Sequence, residues 1–99
     1  MPKIYQYLGI TFKFWSNEHN PVHVHAEYKG SVILVLLYVK NGVVAQVRYK
    51  EDTGKFPPSK VKDLKTFVSA NKNALLLAWT QYFENDVRFK TVTITRRIK

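Results

Sequence analysis

The dipeptide Asn41-Gly42 is the feature that most constrains how this chain folds. It lies between two apolar stretches, "SVILVLLYV" from Ser31 to Val39 and "VVAQVRY" from Val43 to Tyr49. A two-residue link of this kind favours a type I′ turn, which needs positive φ at both central residues and returns the chain antiparallel. A hairpin is therefore expected at the middle of the sequence, and the rest must be built around it. The first arm is apolar at successive positions, the pattern of a central strand covered on both faces. The second arm carries Gln46 and Arg48 on its wetter side.

The segments before the hairpin also read as strands. Ile10, Phe12 and Phe14 alternate with Thr11, Lys13 and Trp15, and two short strands meet around Leu8-Gly9. The polar loop "SNEHNP" closes on Pro21, which biases Asn20 toward extended geometry. From Val22 to Tyr28 the alternation resumes, with Val22, Val24, Ala26 and Tyr28 on one side and His23, His25 and Glu27 on the other. Lys29-Gly30 then supplies a turn.

Beyond the hairpin, "KEDTGKFPP" reads as a loop and Pro57-Pro58-Ser59 as the opening of a helix. Val61, Leu64, Phe67, Val68, Leu75 and Trp79 recur at three-and-four spacing, while Lys60, Lys62, Asp63 and Lys65 fall off that stripe. The helix is expected to end near Phe83. The pattern leaves open whether Asn71 and Asn73 divide it into two pieces. The tail "RFKTVTITRRIK" alternates again and is rich in β-branched residues, which favours a strand. The expected fold class is α+β: an antiparallel sheet of about five or six strands with one long helix, whole or broken, packed on one face. Residues 1–99 form a single domain, with 88–99 as a C-terminal strand or basic tail. That strand could join the same sheet or pair with a second copy to make a homodimer.

Charge narrows the partners. Sixteen Lys and Arg against seven Asp and Glu leave a net charge of +9. Such a field attracts polyanions, of which RNA or DNA is the first expectation and an acidic protein partner the second. An anionic membrane ranks third. No apolar stretch is long enough to span a bilayer and the first residues lack a signal-peptide core, so the expectation is a cytoplasmic protein with no membrane partner. Cysteine is absent, which removes disulfides, thiolate chemistry and cysteine-ligated zinc. The candidate phosphate contacts are Lys13, Arg48, Lys60, Lys62, Lys65, Arg96 and Arg97. The plain alternative is that surplus lysine serves solubility alone.

The chemistry-bearing residues cluster in "NEHNPVHVHAEY", which holds every histidine of the chain: His19, His23 and His25. On a strand, His23 and His25 project from one face about 6.5–7 Å apart at the backbone. Two imidazoles titrating near neutrality supply the base and the acid for RNA cleavage, with His19 and Glu18 supporting and Lys13, Arg48 or a helix lysine on the phosphate. A metal is the second option. His23, His25 and Glu27, or Glu18 or His19 in place of Glu27, satisfy the ligand count of zinc or a two-histidine, one-carboxylate iron. No cofactor is assigned. The run "HVHAE" is similar to the His-x-His-x-His of histidine-triad nucleotide hydrolases, but Glu27 stands where an imidazole would attack phosphorus, and that reading is set aside. The plain alternative is two hydrogen-bonded imidazoles on a half-wet strand face. Trp15 and Tyr28 are either base-stacking groups or core.

Three segments, "MPKIYQYLGITFKFWSNEHNPVHVHAEY", "GKFPPSKVKDLKTFV" and "NALLLAW", together resemble a bacterial and phage family catalogued as domain of unknown function 4160. The resemblance covers roughly residues 2–83, and its signature is an acidic residue and histidine followed by Pro-x-His-Val-His. What the resemblance implies is a setting rather than an activity. Members are similar in size and gene-neighbourhood habit to toxin–antitoxin modules.

Overall fold

In the computed structural model, which describes residues 3–14, 22–83 and 92–95, tight turns lay out the sheet. The strands are β1 (Lys3–Tyr7), β2 (Ile10–Phe14), β3 (Val22–Tyr28), β4 (Ser31–Lys40) and β5 (Val43–Thr53), followed by the helix α1 (Pro58–Phe83) and a short β6 (Val92–Ile94). Asn41 and Gly42 have φ of 54° and 78°, as a type I′ turn requires. The same pair of positive angles recurs at Lys29-Gly30 and at Leu8-Gly9, where Leu8 is a bulky residue in a region that favours glycine.

Strands β1 to β5 form an antiparallel meander, and β6 returns beside β1 in parallel, giving the order β5-β4-β3-β2-β1-β6. The tail strand thus joins its own sheet. The fold is α+β with a mostly antiparallel six-stranded sheet, and β6 makes it mixed.

Helix α1 covers one face. Phe12 and Phe14 from β2, Val22, Val24 and Ala26 from β3, and Ile33, Val35 and Leu37 from β4 meet Leu64, Phe67, Val68 and Leu75 in one core. Phe67 is at its centre: its ring stacks on Phe12 at 4.6 Å, lies 5.0 Å from Tyr7 and meets Tyr5 edge-on at 5.4 Å. Aromatic pairs at these separations add stabilisation beyond the area they bury.

The helix is one continuous piece through Asn71 and Asn73. Each asparagine is engaged in a hydrogen bond that leaves the helix intact. Asn71 Nδ2 donates to the Phe67 carbonyl one turn back, and Asn73 Oδ1 accepts from the Val44 amide at 3.1 Å, tying α1 to the β4–β5 hairpin. Two expectations are corrected. β5 continues to Thr53, into the stretch whose composition favours a loop, because Glu51 and Thr53 still find register partners in Ile33 and Val32. β4 is not covered on both sides by the described residues: Val32, Leu34, Leu36 and Tyr38 face away from the helix and none belongs to the core.

At the other end of the sheet, Lys60 Nζ donates to the Leu8 carbonyl at 2.7 Å and lies 3.7 Å from Asp63 and 5.1 Å from the centre of the Tyr28 ring. This lysine clamps the strained Leu8-Gly9 turn to the first turn of the helix. The crowding is tight, since a Cβ on Gly9 would meet the Tyr28 ring at 3.2 Å.

The convergence of three rings on Phe67 sets the expected cost of emptying it. Phe67→Ala should destabilise the domain by about 3–5 kcal/mol, a large share of the roughly 5–15 kcal/mol typical of such a chain. Urea unfolding checks this, and a loss under about 1 kcal/mol would show that the helix is not anchored through this ring.

Candidate nucleic-acid interface

The face of the sheet opposite α1 is defined by strand alternation. Val22, Val24 and Ala26 enter the core, so His23, His25 and Glu27 take the other side of β3. Register then fixes their neighbours. His25 is opposite Lys13 on β2 and Leu34 on β4, Leu34 is opposite Lys50 on β5, and Lys13 is opposite Lys3 on β1. One row across five strands therefore reads Lys3, Lys13, His25, Leu34, Lys50. The next row toward the β4–β5 turn holds His23, Leu36 and Arg48, and the one on the other side holds Thr11, Glu27 and Val32.

His25 is only 7% exposed although it lies on this open face. Burial pushes its imidazole below the ordinary value of 6.5; Asp52 in the β5 bulge and Glu27 pull it up, and Lys13 and His23 push it further down. Burial thus favours the uncharged form of the His25 imidazole. Lys13 Nζ is 3.3 Å from Glu27 Oε2, in an ion pair that leaves both side chains partly exposed. Such a pair contributes up to about 1 kcal/mol and orders the lysine beside His25.

The sequence-derived candidates divide between two faces. Lys13, His23, His25 and Arg48 share the open face. Lys60, Lys62 and Lys65 are on α1, across the sheet from them: Lys60 is held in the Leu8 clamp, Lys65 Nζ lies 5.3 Å from the Tyr49 ring centre, and Lys62 is exposed. Tyr28 packs against the core and Phe56, which favours its core reading. Trp15, Glu18, His19, Arg96 and Arg97 lie outside the described residues. Among the described residues no three His, Asp or Glu side chains converge to hold a metal ion. Alternation explains why His23, His25 and Glu27 do not: four residues of strand separate the first from the last by about 13 Å.

Two cations on this face escape a reading of the sequence alone. Lys50 follows Arg48 at strand spacing, but the loop-like composition from residue 50 onward conceals that the strand continues. Lys3 precedes an irregularity in β1 that shifts its register against β2, so alternation alone would have misplaced it.

The depressed His25 value gives stability a definite pH dependence. The unfolded chain takes up the proton more readily than the folded one, so the stability present above about pH 6.5 is lost as pH falls through that value toward the lower folded one. His25→Gln should unfold with a shallower acid dependence than wild type between about pH 7.5 and about pH 5, measured by urea titrations. Equal dependence in the two proteins would mean that His25 is not the group that charges.

Among the described residues no helix is long and apolar enough to cross a membrane. No curated protein and no solved structure matches the chain. Residues 9–80 match the family model described as "Domain of unknown function (DUF4160)". That span contains β2 to β5, nearly all of α1 and both histidines of the open face, and the chain belongs to this family.

Proposed function

We propose that this protein binds nucleic acid, holding the phosphate backbone on the face of its sheet opposite α1. The observation that carries the reading is the register that places Lys3, Lys13 and Lys50 in one row with His25, and Arg48 in the next. A row of cations running across the strands of a chain of net charge +9 suits a polyanion better than a small acid. In the cell the reading is of a cytoplasmic module of toxin–antitoxin type, with an acidic protein as the competing occupant of the same strip.

Anisotropy with labelled RNA tests this. Lys13→Gln, Arg48→Gln and Lys50→Gln combined should weaken binding and reduce the slope of log affinity against log salt by roughly 2, at about 0.7 per contact on a single strand. Lys62→Gln with Lys65→Gln should leave both nearly unchanged. The opposite pattern would move the interface to the helix.

A second reading, RNA cleavage, is favoured by the His25 imidazole, biased toward its uncharged form, beside the Lys13 cation with a second imidazole two residues away. His25 would take the 2′-hydroxyl proton, His23 would protonate the leaving oxygen, and Lys13 would stabilise the charge on phosphorus oxygens. Cleavage of a mixed labelled RNA that survives EDTA and vanishes in His25→Ala is the expected result. EDTA-sensitive cleavage would assign the histidines to a metal, and intact RNA throughout would leave binding alone.

A further inference from the structure

The open face carries a feature that phosphate binding does not use. Val32, Leu34, Leu36 and Tyr38 occupy alternate positions of β4, all half-buried, all on the side away from α1, and none packed against the core. They form an apolar lane about 20 Å long at strand spacing. Cations flank it: Lys13 lies two strands away on one side, and Arg48 and Lys50 lie on the adjacent strand on the other. Tyr38 supplies a ring at the hairpin end of the lane, opposite Gln46 and diagonal to Arg48.

A duplex would waste this lane. Its bases are stacked inside, it presents sugars and phosphates to a surface as broad as a sheet, and its major groove is either wide enough only for a helix or two-stranded ribbon, as in DNA, or too deep and narrow for side chains, as in RNA. A single strand has the complementary form, with unstacked base faces to lay on apolar and aromatic side chains and phosphates to reach the flanking cations. We infer that the open face is a single-strand site, with bases lying along the β4 lane over Tyr38 and the backbone held by Lys13, Arg48 and Lys50. This rests on the nucleic-acid reading above and names the class of ligand that the same surface takes.

The test compares a labelled oligouridine with an RNA duplex of equal length by anisotropy, using the full chain. Wild type should bind the single strand at least about tenfold more tightly. Tyr38→Leu, which keeps the site apolar and removes the ring, should weaken single-strand binding by about tenfold and leave duplex binding unchanged, while Tyr38→Phe retains wild-type affinity. Circular dichroism of both variants confirms that the sheet is intact. Equal or tighter duplex binding that still falls in the Lys13, Arg48, Lys50 variant would overturn the single-strand assignment and leave the phosphate-binding face standing. Unchanged affinity in Tyr38→Leu would overturn the base-stacking lane. Absence of binding to either RNA would overturn both this inference and the reading beneath it.

Discussion

The described structure depends on helix α1 covering one face of the sheet through Phe67. The ring touches Phe12, Tyr7 and Tyr5, drawn from the two strands at the N-terminal end of the meander. Asn73 fixes the far side of the same helix to the β4–β5 hairpin, and Lys60 fixes its first turn to Leu8. With one face sealed in this way, every second residue of each strand is committed to the core. The others are committed to the opposite face by the same alternation. The open face is thus a by-product of the core: His25 is on it because Val24 and Ala26 are beneath the helix.

Local rules made much of this legible. Asn41-Gly42 declared its hairpin, and the alternation of Val22, Val24 and Ala26 against His23 and His25 assigned both faces of β3 by spacing alone. What local rules could not see was pairing between distant segments. The three residues of β6 gain their place by pairing with Tyr5, Gln6 and Tyr7, far away in sequence. The extension of β5 to Thr53 depends on β4 being long enough to pair with it. Asn71 and Asn73 resemble helix breakers because propensity ignores the partners, Phe67 and Val44, that absorb their side chains.

The site divides in the same way. That the two histidines share a face was readable from their spacing; that His25 is nearly buried was not, because alternation assigns a face and says nothing of how closely that face is covered. Lys60 shows the converse. Its position off the apolar stripe suggested a free surface cation, whereas Leu8, Asp63 and Tyr28 surround its ammonium. Only the closure of the β1–β2 turn against α1 could reveal that. The continuous apolar run of β4 implies a strand buried on both faces, and the half-exposed second face is what distinguishes this sheet from a closed core.

The parallel pairing of β1 with β6 also governs the order in which the sheet is completed. Each of the other neighbouring pairs joins strands consecutive in sequence, so the meander from β1 to β5 can zip by short-range closure as the chain is synthesised. The outer edge of β1 cannot. Its backbone groups wait through the synthesis of four more strands and a 26-residue helix before Val92–Ile94 arrives to pair with them. During translation this protein therefore carries an unsatisfied strand edge on β1, open to any extended peptide nearby, and the arrival of β6 is what retires that hazard.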